Sequence, residues 1–369
     1  MARETGSSHR NRVRLLHDGC QVLPAMLEAI KRAEHEVLLE MYWFASDAVG
    51  LRFADSLMER AKAGLTVRVI YDAVGSIEAE DAMFDAMRRA GVEVFEFNPI
   101  APWRARFSFA RINRRNHRKL LVVDGKLAIT GGVNLGNPWA PKHEGGGGFR
   151  DDAIEVVGEA AGELRLLFHR SFPGPLIPLP PPKLPPEQCH VTVLASDLRA
   201  ERRGIYDGYL NAIARANREV IICNSYFIPT RPVRRSLARA VSRGVRVRVL
   251  VPRDTDVKVA QLASRHLYAR LLRAGVEINE WVGGILHSKT AIVDDDWCTV
   301  GSFNFDTLSI QNNLELNIAV GSAEINRALR ERVEQDFASS TPIDLESLQR
   351  RSLLIRLVER FVYAFRWLL

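Results

Sequence analysis

The chain has 369 residues, 47% of them hydrophobic, and a formal net charge of +7. This length allows two domains that each bury a core of their own. No stretch reaches the roughly 18 apolar residues that a spanning helix needs, and the first residues lack the apolar run of a signal peptide. Composition therefore argues against a spanning or exported protein, and we expect a soluble or membrane-surface one.

The first half of the chain alternates strand and helix patterns. Three apolar runs of strand composition lie within residues 36–47, 63–72 and 88–97, and stretches of helical composition separate them. Short β-rich runs that alternate with helices are typical of an α/β fold with a parallel or mixed sheet. We therefore predict an α/β unit at the start of the chain.

The next segment, residues 103–119, is strongly basic. It contains aromatic residues and no acid, and its cationic residues are Arg104, Arg106, Arg111, Arg114, Arg115, Arg118 and Lys119. One interpretation is a solvated, charged loop. The other is a surface that binds anionic lipid headgroups or the backbone of a nucleic acid.

The end of this segment opens a short motif. Residues 117–124 read HRKLLVVD, and a turn sequence, GGVN, follows. The apolar run inside the motif has strand composition, so alternation puts His117 and Lys119 on one face. A neutral histidine is a nucleophile or a proton carrier, and a nearby lysine supplies positive charge for an anion. The pattern indicates phosphoryl chemistry.

A proline-rich segment, PGPLIPLPPPKLPP at residues 173–186, ends the first half. Proline fixes φ and removes a backbone donor, so this segment predicts a stiff linker rather than a helix or a central strand. Beyond it, residues 219–230, 243–252 and 272–281 repeat the three strand runs of the first half. The chain therefore contains an internal repeat.

The motif also occurs twice. Residues 287–294 read HSKTAIVD, and GSFN follows them. His287 and Lys289 thus match His117 and Lys119 at equivalent places in the repeat. Two histidines and two lysines suit covalent phosphoryl chemistry without a metal ion, and a chance histidine in a buried strand does not explain two matched copies.

The repeat predicts a duplicated α/β fold. We expect two similar α/β domains, each a mixed β-sheet flanked by helices, whose motifs meet in one site at a pseudo-twofold interface. The predicted domains are residues 1–172 and 187–341, joined by the proline-rich linker at 173–186. A basic amphipathic C-terminal helix is predicted at 342–369.

This C-terminal tail carries apolar residues at helical spacing along one stripe and basic residues on the other faces. The stripe consists of Leu354, Val358, Phe361, Phe365 and Leu368. Such a helix can lie in the interface of a bilayer, or it can pack on the catalytic core, and both interpretations stay open.

With both motifs in view, the sequence resembles the phospholipase D superfamily and, within it, the bacterial cardiolipin synthases of the short type that lack N-terminal transmembrane helices. The resemblance covers roughly Arg14 to Asp336. Its blocks are YDAVGS at 71–76, NHRKLLVVDG at 116–125, GGVNLG at 131–136, SYFIP at 225–229 and GSFNFDTLSIQNNLELN at 301–317.

The resemblance implies a phosphatidyltransferase that works through a phosphohistidine, with neither a metal nor another cofactor. One motif histidine attacks phosphorus, and the other protonates the departing alcohol and then deprotonates the incoming one. The order along the chain favours His117 as the nucleophile and His287 as the acid and base.

Further residues are predicted to serve the same phosphate. Those with amine or amide donors for its non-bridging oxygens are Lys119, Lys289, Asn134 and Asn304. Asp124 and Asp294 complete the two motifs and are predicted site residues by resemblance. Whether they contact a histidine or brace a turn stays open.

Each motif histidine also needs an acceptor that orients its ring. Aligning the repeat on Gly158 and Gly321 pairs Asp152 with Glu315, and we predict this orienting role for the two carboxylates.

Three classes of function follow. The first is a transferase that condenses phosphatidylglycerol with a second phospholipid at an anionic membrane surface. The second is a phospholipid hydrolase of the same fold. The third is a phosphodiesterase of nucleic acid, which the fused repeat disfavours because nucleases of the superfamily tend to carry one motif and to dimerise. We expect one chain to form the active unit, on the cytoplasmic side of the cell membrane and peripheral to it.

Overall fold

The structure is a computed structural model that describes residues 7–104, 106–186, 188–196 and 204–368. In these residues the chain forms two mixed β-sheets flanked by helices. A two-residue strand, β1 (Ser7–Ser8), comes first and belongs to the second sheet, where it is an edge strand.

The first sheet has seven strands. They are β2 (Asn11–His17), β3 (Glu36–Met41), β4 (Thr66–Asp72), β5 (Glu93–Phe97), β6 (Leu120–Val123), β7 (Leu127–Gly131) and β8 (Asp152–Gly158). Their order across the sheet is β2-β8-β7-β6-β3-β4-β5. Strands β3, β4 and β5 are parallel to one another, and the other neighbouring pairs are antiparallel.

The second sheet has nine strands. Besides β1 they are β9 (His190–Ser196), β10 (Glu219–Asn224), β11 (Arg246–Asp254), β12 (Glu277–Ile285), β13 (Lys289–Val293), β14 (Trp297–Gly301), β15 (Glu315–Gly321) and β16 (Ser340–Pro342). Between the edge strands β1 and β16, the order β9-β15-β14-β13-β10-β11-β12 repeats that of the first sheet. The predicted duplicated α/β fold is confirmed.

Helices connect and cover the strands. They are α1 (Asp18–Lys31), α2 (Ala48–Lys62), α3 (Asp81–Arg89), α4 (Glu159–Ser171), α5 (Gly204–Arg215), α6 (Arg231–Ser242), α7 (Lys258–Arg273), α8 (Thr307–Gln311), α9 (Ala323–Ala338), α10 (Leu345–Gln349) and α11 (Leu353–Ala364). Short 3₁₀ turns lie at Phe109–Arg111, Asn137–Trp139, Lys142–Glu144 and Arg366–Leu368. No helix in the part of the chain that the structure describes is long and apolar enough to cross a membrane.

Helix α2 shows how local sequence sets an element. The carboxylate of Asp47 accepts hydrogen bonds from the backbone N–H groups of Val49 and Gly50, which caps the helix. Val49, Phe53 and Leu57 are buried at four-residue intervals, so one stripe of the helix packs on the sheet.

The central strands bury both of their faces. In β3, Val37 and Leu39 pack in the core under the helices of the first half, whereas Leu38 points into the core between the sheets. That central core also takes Ile221 and Ile318 from the second sheet, so the two sheets pack face to face. This packing brings the two motif strands, β6 and β13, to the interface between the halves.

The proline-rich segment at 173–186 forms neither helix nor strand. It runs along the first half, where Arg68 donates to the Pro175 carbonyl (2.7 Å) and Arg165 donates to the Ile177 carbonyl (2.5 Å). The linker is therefore held in place by buried or half-buried arginines.

Candidate active site

The first motif lies where the halves meet. The backbone N–H of His117 donates to the carbonyl of Leu314, in the loop before β15 (2.9 Å). The imidazole Nδ1 lies 3.0 Å from Oε2 of Glu315, the first residue of β15. Ser302 donates to the same oxygen of Glu315 and holds the carboxylate in place (2.5 Å). A carboxylate of the second half therefore orients the histidine of the first.

The second motif has the reciprocal arrangement. The backbone N–H of His287 donates to the carbonyl of Arg150 (2.7 Å), and its Nδ1 lies 2.7 Å from Oδ2 of Asp151. The indole of Trp139 donates to the same carboxylate oxygen (2.9 Å) and packs edge-on against the His287 ring. Each histidine is thus oriented by an acid from the opposite half.

The structure differs from the prediction for Asp152. Its carboxylate accepts hydrogen bonds from Arg150 (2.7 Å) and Ser288 (2.6 Å) and pairs with His17 (2.8 Å), whereas Asp151 contacts His287. Asp152 therefore braces the loop beneath the site instead of orienting a motif histidine.

The cause is a slip of one residue in the alignment of the repeat. Gly131 pairs with Ala153 in the first sheet, and Gly301 pairs with Asn317 in the second. The residues two positions earlier, Asp151 and Glu315, are therefore equivalent. Alignment on the glycines that end the two strands shifts this match by one residue, and a shift of one exchanges the faces of a strand.

Both motif lysines are buried beside the histidines. Lys119 donates to the His117 carbonyl (2.9 Å), and its ammonium lies 5.1 Å from the ring centre of Tyr42. Lys289 donates to Ser225 (2.9 Å) and also to the His287 carbonyl. Burial lowers the pKa of Lys119 to about 7 and that of Lys289 to about 8. A bound anion would favour the charged forms of both lysines.

Burial favours the neutral forms of both motif histidines. Burial lowers the pKa of His117, although Glu315 opposes this shift. The pKa of His287 falls well below its usual value because of burial and the charge of Lys289. Lys289 also lowers the pKa of His117, and Lys119 that of His287, so the two motifs share one electrostatic environment.

The two asparagines differ. Oδ1 of Asn134 accepts a hydrogen bond from the backbone N–H of Trp43 (3.2 Å), which orients its amide. Asn304 is buried, and its Oδ1 has no hydrogen-bond partner among the described residues.

The basic segment at 103–119 divides into two parts. Trp103 and Phe109 are exposed, as the surface interpretation requires. Arg115 and Arg118 are instead buried and donate to backbone carbonyls, Arg115 to Asn98 (2.7 Å) and Arg118 to Ser196 (2.9 Å). Only the first part of the segment can face a ligand outside the protein.

Comparisons with known proteins identify the family of the chain. The sequence model of the family "Cardiolipin synthase, PLD-like domain" matches residues 26–142 and 209–337, once in each half. The chain belongs to this family. It is a phosphatidyltransferase of the phospholipase D superfamily.

Relatives extend over nearly the whole chain. A cardiolipin synthase of Geobacillus sp. (strain WCH70) is 35% identical over 355 residues, which cover 94% of this chain and 70% of that protein. The probable cardiolipin synthase YwiE of Bacillus subtilis (strain 168) is 30% identical over 370 residues. The match covers 96% of this chain and 72% of that protein.

Two solved structures share the fold. Phosphatidylserine synthase from Haemophilus influenzae Rd KW20 superposes with a TM-score of 0.71 at 14% identity, covering 97% of this chain and 95% of that one. Polyphosphate kinase from Porphyromonas gingivalis superposes with a TM-score of 0.63 at 14% identity, covering 96% of this chain and 53% of that one. At these identities the likeness shows the fold alone.

The motif aspartates of this phosphatidyltransferase brace turns. Oδ atoms of Asp124 accept hydrogen bonds from the backbone N–H groups of Glu34, His35 and Glu36 at 2.8–3.0 Å. Asp294 does the same with residues 217–219 at 2.8–2.9 Å. Both aspartates have positive φ, which aspartate tolerates better than most residues. These hydrogen bonds indicate that both motif aspartates brace a turn rather than contact a motif histidine.

We expect Asp124→Ala to destabilise the enzyme by about 3 kcal/mol, because three N–H groups lose a charged acceptor. Urea unfolding measures the change, and Asp124→Asn, which keeps one acceptor oxygen and tolerates the same backbone, is the matched control. A catalytic role would instead appear as lost activity at unchanged stability.

Two tyrosines and an acid beside the site were not predicted from the sequence. Tyr42 packs edge-on against His117 at 4.8 Å. The ring centre of Tyr226 lies 6.0 Å from the ammonium of Lys289. Tyr226 donates to both oxygens of Asp256 (2.7 and 2.8 Å). The repeat offered no signal for these tyrosines, because Tyr42 aligns with Ser225 and Tyr226 aligns with Trp43.

Proposed function

We propose that this chain condenses phosphatidylglycerol with a second phospholipid through a phosphohistidine, and so makes cardiolipin. The observation that supports this most is the reciprocal pair of contacts, Glu315 on His117 and Asp151 on His287. With Nδ1 engaged by a carboxylate, Nε2 of each ring is the nitrogen that can attack phosphorus or carry a proton.

The chemistry uses two displacements at phosphorus. Nε2 of His117 forms a bond to the phosphorus of the first lipid, the bond from phosphorus to the headgroup oxygen breaks, and the protonated ring of His287 gives its Nε2 proton to the departing alcohol. His287 then takes the proton of the incoming lipid hydroxyl, whose oxygen displaces His117 from phosphorus. Both histidines return to their starting states.

The buried lysines make the site receptive to the phosphodiester anion. Lys119 and Lys289 face the histidines from opposite halves, and the negative charge of the substrate favours their protonated forms. The same charge raises the low pKa of His287, which allows this ring to act as an acid.

The lysines also predict a pH dependence. A lysine whose pKa is lowered to about 7 or about 8 is charged below that pH and neutral above it. We therefore expect kcat/KM, which reports the free enzyme, to fall as the pH rises through 7 to 9. Initial rates on detergent-dispersed phosphatidylglycerol measure this, and a flat profile over that interval would contradict it.

The exposed apolar face of helix α11 supports the proposal that the enzyme acts at a membrane surface. The helix packs on α7 through its more polar side, where Glu359 is buried and pairs with Arg351 (2.5 Å) and Tyr363 stacks on His266. The predicted apolar stripe faces outward, with Leu354 71% exposed and Phe361 66% exposed. The side chain of Leu368 lies outside the described part of the chain.

We therefore expect Leu354→Ser/Phe361→Ser to weaken binding to phosphatidylglycerol vesicles at least about tenfold, since each such side chain contributes roughly 1.5–3 kcal/mol when fully buried. Sedimentation with vesicles measures it, and Leu51→Ser/Leu166→Ser, which changes two exposed leucines on α2 and α4, is the control. Point changes are preferred to a truncation because Leu348 packs in the core. Equal binding by both variants would place the membrane contact elsewhere.

One experiment tests the function itself. Purified protein is incubated with phosphatidylglycerol vesicles, with and without EDTA, and the products are identified by mass spectrometry. Cardiolipin that forms in both samples supports the proposal. Phosphatidic acid as the main product would indicate a hydrolase, and no lipid product would overturn the proposal.

A further inference from the structure

A basic cavity lies on the outer side of the second half, between α6 and α7. It has a volume of about 240 Å³. Its lining consists of Arg231, Arg234, Arg235, Ala238, Arg270, Leu271 and Ala274. The apolar faces of both helices pack on the second sheet away from the other half, so this cavity opens on a different side of the sheet from the core between the halves.

The charge of this cavity has no balancing carboxylate among the residues that line it. Among the described residues, none of the four lining arginines forms an ion pair, and no carboxylate lines the cavity. Other arginines of the second half are paired, as Arg246 is with Glu277 (2.8 Å) and Arg265 with Glu280 (2.9 Å). Four like charges around one cavity repel one another, and a bound anion would relieve that repulsion.

Helix α11 adjoins this cluster. Arg234 donates to the Pro229 carbonyl (2.6 Å) and to the hydroxyl of Tyr363 on α11 (3.3 Å). The ring of Tyr363 stacks on His266 of α7 at 4.6 Å. Burial lowers the pKa of His266, and the charges of Arg360, Arg234 and Arg270 lower it further, so an arginine of α11 joins the same positive region.

Apolar side chains and arginines that form no ion pair with a described residue are therefore neighbours on one surface. The outward face of α11 suits the boundary between headgroups and acyl chains, and guanidinium groups bind phosphate oxygens in a bidentate manner. A nucleic acid would use the arginines but not the exposed leucines and phenylalanines of α11. The combination favours a lipid.

We propose that the cavity formed by Arg231, Arg234, Arg235 and Arg270 binds the phosphate of an anionic phospholipid in the bilayer, as a second lipid site separate from the catalytic histidines. The bound lipid fixes α11 on the membrane and so orients the enzyme on it. This inference rests on the proposed function only in taking the bilayer as the source of the ligand.

The test uses the full-length variant Arg231→Gln/Arg235→Gln/Arg270→Gln, which leaves Arg234 and its contacts in place. All three replaced arginines are exposed. We expect its affinity for phosphatidylcholine vesicles that contain phosphatidylglycerol to fall about tenfold to a hundredfold. Affinity for pure phosphatidylcholine vesicles should change little.

The matched control removes the same charge elsewhere, as Arg52→Gln/Arg89→Gln/Arg327→Gln on α2, α3 and α9, where all three are exposed. Its affinity for the anionic vesicles should fall by less than about threefold, because distant exposed charges are screened. The single variant Arg235→Gln, with a smaller expected loss, covers the case in which the triple variant does not fold.

Two readouts separate this proposal from the proposed function. Cardiolipin formation from detergent-dispersed phosphatidylglycerol should be unchanged in the triple variant, since no lining arginine belongs to the motifs. If no variant makes cardiolipin but vesicle binding still depends on the arginines, the proposed function fails and the lipid site stands. Equal loss in both triple variants, or a loss confined to binding of single-stranded DNA, would overturn the lipid site.

Discussion

Replacing His117 with alanine is expected to lower turnover by about 10⁴-fold or more, because the nucleophile of the first displacement is lost. His287→Ala should lose about as much turnover, since the departing alcohol then leaves without a proton. Because the two rings act as a unit, the double variant should be scarcely worse than either single one.

The covalent intermediate distinguishes the two histidines. Protein is mixed with phosphatidylglycerol labelled with radioactive phosphorus and quenched, and the label on the chain is counted. We expect label on His287→Ala, in which the intermediate forms slowly and is not resolved, and none on His117→Ala. Label on His117→Ala alone would exchange the two roles, and label on neither variant nor the wild type would argue against a phosphohistidine.

The second large effect is expected at neighbouring aspartates. Asp151→Asn should lower kcat by about 10²–10⁴-fold, because the amide does not stabilise a charged His287 ring as the carboxylate does. Burial raises the pKa of Asp151 to about 6, so the carboxylate is charged at neutral pH and above. Without it the pKa of His287 falls, and the alkaline limb of the kcat profile should move to lower pH.

Asp152→Asn is the matched control, one residue along the chain. Asp152 pairs with the buried Arg150, which also pairs with Asp336 (2.7 Å). Weakening this network should cost about 3 kcal/mol of unfolding free energy, with a smaller loss of kcat than in Asp151→Asn and no shift of the pH profile. A larger loss of kcat in Asp152→Asn, with a shifted profile, would restore the role that the sequence alignment predicts for Asp152.

Much of the fold could be predicted because the same sequence patterns occur in both halves of the chain. Runs such as 36–41 and 219–224 are rich in apolar residues, as strands buried between layers are, and they became the matched strands β3 and β10. The motif runs became β6 and β13 for the same reason. A local pattern that recurs at a matching place is strong evidence, because chance rarely repeats it.

Which acid orients which histidine could not be read from the chain. The contact of His117 with Glu315 joins residues 198 positions apart, and that of His287 with Asp151 joins residues 136 apart. Both contacts depend on how one sheet packs on the other. The choice between Asp151 and Asp152 depends further on strand register, where a slip of one residue reverses the face.

The amphipathic tail also has one property that the sequence determines and another that only the tertiary structure decides. Spacing along the chain determined that α11 has one apolar face, because helix geometry places residues three and four apart on the same side. Only the tertiary structure decided which face packs: Glu359 and Tyr363 meet partners on neighbouring elements, and Leu354 and Phe361 are left outside. Periodicity in sequence specifies which residues share a surface, but what that surface touches is a property of the whole packed chain.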